Sequence, residues 1–355
     1  MDAQRPPHLG FPVQVLGREG IKSHDARRWQ SKPHLRTSLG YLRELFAYLD
    51  ETDIRMYRMA SGLAPYATHP DHAEFHGQVE ACTEELAELG ELARELGLRL
   101  SFHPSQYIVL NAPDEHLVSR SSADVEVQAA ILEALGLDDE AVVVLHIGGV
   151  YGDREAARER FARRYETLSP VAQRRLVLEN DDVRFGASDV LWLHERVGVR
   201  AVFDVHHHHC CNPAGMPGIE AARACLETWR GWAARPKVHF SSPRTDWGFR
   251  YGSCEEPNTP RWTAHAEFAD PFGFIAFYRT IVDARPDVML EAKAKDIALL
   301  QLRRDLARHA PDIATLFKPS SLRADQLNRG KRLGRALRPD PIIPEIEPKS
   351  DVKNL

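Results

Sequence analysis

The stretch AVVVLHIGG, residues 141–149, has the composition of a buried β-strand. It opens with apolar residues, most of them valine, and it stops at His146 before a pair of glycines. A short apolar run of this kind is typical of a strand covered on both faces. Segments of helical periodicity lie on either side, at 124–136 and 155–168. The local order is therefore helix, strand, helix, which indicates a parallel sheet.

Seven further runs of the same kind alternate with amphipathic segments along the chain. Parallel strands need a helix for each return crossing, so strict alternation of eight strands predicts a (β/α)8 TIM barrel, with an open doubly wound sheet as the alternative. No glycine-rich phosphate loop follows the first run, so no nucleotide cofactor is expected. The eight predicted strands are 8–15, 54–59, 98–102, 141–145, 175–178, 200–203, 237–240 and 287–290.

The bulk composition suits one barrel with an extension. The chain has 355 residues, 43% of them hydrophobic, which is enough to bury a large core. It shows no basic start with an apolar run and no apolar stretch long enough to span a membrane, so we expect a cytoplasmic protein without a membrane partner. Its five cysteines have no CxxC spacing, which favours reduced thiols.

The predicted domain boundary lies near residue 309. Residues 1–309 are assigned to the barrel, and residues 310–355 to a C-terminal tail that is first basic and then proline-rich. We interpret the tail as a solvated extension, with a nucleic-acid-binding arm as the alternative. The net charge of −5 gives no general attraction to nucleic acid, so binding a phosphate backbone would need local positive charge or bound cations.

Metal-binding residue types stand where most of the strands end. The C-terminal ends of barrel strands converge on one bowl, so these side chains are expected to form one cluster. Imidazole and carboxylate ligands without thiolates suit Mn, Zn or Fe, and a carboxylate such as Glu179 can bridge two cations. The pattern predicts a multinuclear hydrolytic site. The residues are His103, His146, Glu179, Asp204, His239 and Glu291.

The tract FDVHHHHCC, residues 203–211, adds a further ligand to this set. Asp204 ends its strand, and His207 follows three residues later, so both can face the same mouth. His206, His208 and His209 are interpreted as outer hydrogen-bond donors or solvated groups.

Two lysines share a strand face with predicted ligands: Lys237 with His239, and Lys293 with Glu291. They either balance the carboxylates or hold a phosphate in the transition state.

Several segments together resemble the UV damage endonuclease family, in chain order from LGFP at 9–12 to about residue 305. The segments are ATHP (67–70), SFHPSQY (101–107), LHIGG (145–149), LVLENDD (176–182), FDVHHH (203–208), RPKVHFSSPR (235–244) and MLEAKAKDIALL (289–300).

The resemblance implies a barrel nuclease with a manganese cluster. Such an enzyme hydrolyses the phosphodiester immediately 5′ of cyclobutane dimers, 6-4 photoproducts and some abasic sites in double-stranded DNA. It implies two or three Mn²⁺ ions, with Zn²⁺, Mg²⁺ or Co²⁺ as substitutes. We separately expect a monomer. The implied ligands are His69, His103, His146, Glu179, Asp204, His207, His239 and Glu291, with His265 as an addition.

The resemblance also implies roles outside the ligand set. Gln106 and Tyr107 would probe the duplex at the lesion, since an amide and an aromatic ring can fill the gap left by extruded bases. Lys237 stands where family members can carry a carboxylated lysine. Phe11 departs from the tyrosine that is usual in the family and lacks its hydroxyl.

The expected reaction is metal-assisted phosphodiester hydrolysis, with Glu179, Lys237 and His239 as catalytic residues. Arg244 and Lys237 would hold phosphate oxygens. A sugar isomerase or epimerase with a divalent metal in a similar barrel is the enzymatic alternative. A protein that binds damaged DNA without cutting it is the alternative from another class.

Overall fold

The computed structural model describes residues 5–246 and 259–318, and eight short strands form its centre. They pair in chain order, each parallel to the next, and the eighth pairs with the first to close a barrel. The predicted TIM barrel is confirmed, and the open sheet is excluded. The strands are β1 (Leu9–Pro12), β2 (Met56–Arg58), β3 (Arg99–Phe102), β4 (Val142–His146), β5 (Leu176–Glu179), β6 (Arg200–Asp204), β7 (Lys237–Phe240) and β8 (Asp287–Leu290).

The first strand is shorter than the predicted 8–15 because Val13 adopts the left-handed conformation, with φ 63°. A β-branched residue is strained there. Two hydrogen bonds hold it: the Val13 amide donates to the carbonyl of Arg58 at 2.9 Å, and the Tyr57 hydroxyl donates to the Val13 carbonyl at 2.6 Å. The chain therefore turns out of the sheet at the mouth of the barrel.

The helices surround the barrel and mostly follow the amphipathic segments. Aspartate side chains cap several of them, for example Asp114 and Asp153, by accepting from amides of the first turn. The helices are α1 (Leu35–Glu51), α2 (Gln78–Ala81), α3 (Thr83–Glu95), α4 (Glu115–Ala134), α5 (Arg154–Thr167), α6 (Pro170–Arg175), α7 (Ala187–Val197), α8 (Val205–Cys210), α9 (Gly218–Glu227), α10 (Pro271–Thr280), α11 (Lys295–His309) and α12 (Pro311–Leu316).

The apolar core lies mainly between the sheet and the helices. Inside the barrel, a smaller apolar cluster contains Val142 and Val144 of β4, Val177 of β5 and Val202 of β6, and it packs against Trp229. Buried polar side chains also lie in the interior. At the N-terminal end of the strands Arg99 donates to Asp287 at 2.7 Å, and nearer the other end Lys237 Nζ donates to Ser101 Oγ at 3.0 Å.

The described chain continues past the last predicted helical segment, 272–284, into α11 and α12, neither of which was predicted as a helix. After α12 the ring of Phe317 packs against Tyr278 with centroids 5.0 Å apart. The predicted basic and proline-rich tail lies, from residue 319 onward, outside the described residues. No helix of the described part has the length and hydropathy needed to cross a membrane.

Candidate metal centre

Glu179 is the centre of a cluster at the C-terminal ends of the strands. It is the last residue of β5 and is 0% exposed. His103 Nε2 lies 3.0 Å from Glu179 Oε2, and His239 Nδ1 lies 3.0 Å from Oε1. His207 Nδ1 is 3.2 Å from Oε1, and His146 Nε2 is 3.9 Å from Oε2. One buried carboxylate therefore faces four imidazoles that come from four different parts of the chain.

Three overlapping groups of possible metal-ligand atoms converge here, with all atoms in a group within 4.8 Å of one another. We call them donor groups. Glu179 and Glu291 each belong to two groups. The groups are His103 with His146 and Glu179; His207 with His265 and Glu291; and Glu179 with Asp204, His239 and Glu291.

The carboxylates of the cluster have opposite pKa shifts. Burial would raise the pKa of Glu179, but the surrounding imidazoles, chiefly His239 and His146, hold it well below the usual value. Burial raises the pKa of Asp204, and repulsion from Glu179 and Glu291 raises it further. Burial acts against protonation of His207, yet the neighbouring Asp204 and Glu179 raise its pKa to about 12. The imidazoles therefore stabilise the charge of Glu179, whereas burial and the neighbouring carboxylates disfavour the charge of Asp204.

The donor atoms of this cluster fit divalent cations. Glu179 Oε1, Asp204 Oδ2 and both ring nitrogens of His239 are buried and make no well-aligned hydrogen bond among the described residues, although His239 Nδ1 lies 3.0 Å from Glu179 Oε1. Buried polar atoms are nearly always satisfied, so a set of unsatisfied polar atoms in one place indicates a ligand. Imidazole nitrogens and carboxylate oxygens without thiolates are a donor set for Mn²⁺, Zn²⁺ and similar ions.

Lys237 lies on the inner face of β7, two residues before His239 and nearer the N-terminal ends of the strands. Its side chain is fully buried and donates to Ser101 Oγ. Burial lowers the pKa of Lys237 well below 10.5, and Arg99 and Arg58 lower it further. The buried amine therefore favours its neutral form far more than an exposed lysine does.

Lys293, which shares a predicted strand face with Glu291, lies beyond the end of β8 and is exposed.

Five further predicted residues stand at the rim of the bowl. His265 belongs to one donor group, whereas His69 belongs to none of the three. The His69 ring packs on His72 with centroids 4.6 Å apart, and its Nδ1 accepts from the Asp71 amide at 3.2 Å. Gln106 and Tyr107 are exposed after β3, and Arg244 is exposed after β7, where it forms an ion pair with Asp246 at 2.8 Å.

The histidine tract folds into the single turn of α8. Asp204 caps this turn by accepting from the His207 amide at 2.7 Å, which places both side chains in the cluster. His206 faces the His265 ring at 5.3 Å, and His208 is hydrogen-bonded to the Met216 carbonyl at 3.0 Å. Both are buried, so the expectation of solvated groups holds only for the exposed His209.

Comparisons with known proteins agree with this architecture. A family model described as UV-endonuclease UvdE matches residues 23–318, which is most of the chain. This chain belongs to the UV-endonuclease UvdE family. The UV DNA damage endonuclease of Bacillus cereus (strain B4264) is 33% identical over 276 residues, covering 77% of this chain and 82% of the relative. That of Bacillus thuringiensis subsp. konkukian (strain 97-27) is 33% identical over 260 residues, covering 72% and 76%.

A solved member of the UvdE family shares the fold. The crystal structure of SacUVDE superimposes with a TM-score of 0.71 at 25% identity and covers 85% of this chain and 98% of that protein.

Two residues that support the UvdE cluster were not predicted. Asn180 is fully buried, accepts from the Asp204 amide at 2.9 Å, and offers its carbonyl to His207 Nδ1 at 3.0 Å. Arg58, the last residue of β2, forms an ion pair with Glu291. Both could have been found from their positions in the sequence, because Asn180 directly follows Glu179 and Arg58 ends a strand as the predicted ligands do.

Phe11, the departure from the family pattern, is fully buried among the apolar core residues. Its ring meets that of Tyr57 edge-on with centroids 5.5 Å apart.

Proposed function

We propose that this UvdE family member is a metal-dependent DNA repair endonuclease. It nicks the phosphodiester immediately 5′ of cyclobutane dimers and 6-4 photoproducts, and also acts on abasic sites. Membership of a family of UV endonucleases supports DNA cleavage at UV damage. The observation that carries the metal dependence is the set of buried, unsatisfied donor atoms around Glu179.

We propose two or three Mn²⁺ ions as the resident metal, with Zn²⁺, Mg²⁺ or Co²⁺ as substitutes. The donor groups that would hold them share Glu179 and Glu291. Bound divalent cations supply a water of near-neutral pKa and stabilise negative charge on the leaving oxygen. His69 is also proposed as a ligand; a rotation of its side chain away from His72 would be needed to bring it toward the bowl.

The catalytic roles that we propose for the chain follow from its geometry. Glu179 and His239 orient the reacting groups, because they are fully buried and fixed by the barrel strands. Lys237, whose buried amine has a lowered pKa, accepts a proton or holds a phosphate oxygen from the N-terminal side of the cluster. A neutral amine is also the form that adds CO₂ to give a carbamate and a proton, so carboxylation of Lys237 is a separate hypothesis.

The substrate contacts that we propose lie on the rim. Tyr107 is 73% exposed, which suits insertion into a duplex better than the lining of a closed sugar pocket. Gln106 beside it would occupy the gap left by extruded bases. The exposed Arg244 would bind backbone phosphates once its ion pair with Asp246 opens. A net charge of −5 does not prevent this, because bound cations make the bowl locally positive.

We propose that the protein works as a monomer in the cytoplasm and needs no nucleotide cofactor. The lack of a glycine-rich phosphate loop after β1 supports the last point. Sedimentation with and without damaged DNA tests the oligomeric state, and incision in the absence of added nucleotide tests the cofactor.

The decisive experiment is incision of an end-labelled duplex that carries one thymine dimer. With Mn²⁺ we expect a single nick directly 5′ of the dimer, which EDTA abolishes. Glu179→Gln should remove the nick, whereas Glu95→Gln, an equal change at an exposed glutamate of α3, should leave it intact. Binding of the dimer duplex without a nick in Mn²⁺ would contradict the endonuclease proposal. Turnover of ketoses in place of incision would do so as well.

A further inference from the structure

The exposed apolar side chains of this protein concentrate on the face that carries the metal cluster. In the described part of the chain, every large hydrophobic residue that is strongly exposed lies in a loop after a strand or in the first turn of the helix after that loop. The loops that lead from helices back to strands expose none. The residues are Leu16, Trp29, Tyr107, Tyr151, Val183, Ile219, Trp262, Phe268, Phe272 and Ile297.

Two aromatic residues of this set stand on opposite sides of the bowl. Tyr107 follows β3, and Trp262 lies in the connection between β7 and α10. In a closed barrel of eight strands in chain order, β3 and β7 are four strands apart and therefore face each other across the axis. The donor groups lie between them, since His103 follows β3 and His239 belongs to β7.

The backbone around Trp262 is fixed, although its side chain is 53% exposed. Cys210 Sγ, at the end of α8, donates to the Trp262 carbonyl at 3.9 Å. The Ala264 amide donates to the Arg261 carbonyl at 2.8 Å, and the next residue, His265, forms an antiparallel bridge with Pro243. The indole thus projects from a short anchored segment that also supplies a residue of a donor group.

An anchored, exposed indole at this position indicates a partner with flat apolar surfaces. Leaving so much apolar area in water is unfavourable, and exposed apolar surface beside a site is typical of a binding surface. Nucleic-acid bases offer such surfaces: each base has a π-face, so stacking on an aromatic side chain does not depend on sequence. A damaged duplex supplies unstacked bases next to and opposite the lesion.

We propose that Trp262 is a second DNA-contacting aromatic residue, which stacks on an unstacked base of the damaged duplex on the rim opposite Tyr107. The duplex is then held on both sides of the metal cluster. This inference rests on the proposed function, because it takes damaged DNA as the substrate. It also gives Cys210 a role: its thiol fixes the carbonyl of Trp262 and thereby the position of the indole.

The test separates substrate binding from turnover in three variants. Trp262→Ala should raise KM for the dimer duplex about tenfold and leave kcat within about twofold, because a stacking contact to one base is lost. Trp262→Phe should stay within about threefold in KM. Phe272→Ala removes a side chain that is 63% exposed on α10 and packs near His309, and it should change neither constant. An unchanged KM in Trp262→Ala would overturn the proposal.

A second readout does not depend on cleavage. Stacking of a base on an indole quenches its fluorescence, so the dimer duplex should quench the wild type more than Trp262→Phe. Equal quenching in the two proteins would overturn the proposal, whether or not they cut the DNA. A wild type that fails to nick the dimer duplex but shows the quenching difference would refute only the proposed function. If Trp262→Ala loses thermal stability or metal, the comparison of fluorescence quenching between the wild type and Trp262→Phe decides.

Discussion

Asp204 and Asp287 are both fully buried aspartates inside the same barrel, but at opposite ends of it. Asp287 begins β8; its carboxylate accepts from Arg99 at 2.7 Å and from the His8 amide at 2.7 Å. Asp204 ends β6; one of its oxygens caps α8, and the other has no partner among the described residues. Burial would raise the pKa of both. His8 and Arg99 lower that of Asp287, whereas Glu179 raises that of Asp204 further.

The difference shows how the barrel divides its tasks. At the N-terminal end, Arg99 and Arg5 pair with the carboxylate of Asp287, and the described loops there expose no large apolar side chain. At the C-terminal end, carboxylates are brought together with imidazoles, and burial and the neighbouring carboxylates disfavour the charge of Asp204. The first end stabilises the fold, and the second end carries the proposed chemistry.

The largest effect is expected at the stabilising end, from Asp287→Asn. Removal of one charge from a buried ion pair leaves Arg99 uncompensated, so the free energy of unfolding should fall by about 3–5 kcal/mol. Urea unfolding measures this. Incision by the folded fraction should stay within about twofold, and a large loss of activity without a loss of stability would break the division between the two ends.

The pH dependence of stability sharpens the same comparison through His8. Burial lowers the pKa of His8 from 6.5 to about 4, so the native protein holds it neutral while the unfolded chain takes up a proton. The contribution of His8 to stability should therefore be constant above pH 6.5 and fall by roughly 3 kcal/mol as the pH drops to about 4. The lowered pKa of Asp287 adds a further loss below the pKa of an unfolded aspartate.

The control for this pH effect is His8→Gln, measured by urea unfolding between pH 8 and pH 4. It should reduce the decline between pH 6.5 and pH 4 by roughly 3 kcal/mol. An equally steep decline in the variant would assign the proton uptake to other groups.

At the other end, Asp204→Asn should lower the rate of incision about 100-fold or more. Even residues that only orient metal ligands contribute about 10–100-fold, and Asp204 is itself a member of a donor group. The stability of the metal-free protein should not fall, because the raised pKa shows that its charge is unfavourable there. A metal-free Tm well below that of the wild type would mean that Asp204 stabilises the fold as Asp287 does.

The smallest expected effect is stabilisation by added metal. At a Mn²⁺ concentration ten times the Kd, binding to the native state alone should add about 1.4 kcal/mol to the free energy of unfolding. Thermal melts of chelator-treated protein measure it. Wild type and Asp287→Asn should gain equally, and Asp204→Asn should gain less. An equal gain in Asp204→Asn would place the metal elsewhere.

The sequence predicted the barrel and much of the cluster for one shared reason. Strand periodicity locates the ends of strands, and in a parallel barrel the C-terminal ends meet, so Glu179, Asp204 and Glu291 could be brought together without coordinates. The carboxylates and imidazoles at those ends could be recognised as possible metal ligands from their residue type. The family resemblance added His265, which lies in a loop that periodicity does not describe.

The features that could not be predicted from the sequence depend on contacts between distant segments. The ion pair of Arg99 with Asp287 spans 188 residues, and nothing in either strand indicates it. His69 lies in the long connection after β2, where its orientation follows from packing on His72 and not from a repeat. The early end of β1 reflects the left-handed backbone at Val13, which tertiary hydrogen bonds impose against the preference of a β-branched residue.

Sharing of Glu179 and Glu291 between donor groups has a consequence for how the centre fills. An ion bound in one group neutralises part of the carboxylate that the adjacent group also needs, and it repels a second ion close by. In the proposed multinuclear centre the sites would therefore load in order with unequal affinities, and a calorimetric titration with Mn²⁺ should resolve a tight first step followed by weaker ones. At limiting metal the protein would be partly loaded and inactive, so incision should show a lag until the weaker sites begin to fill.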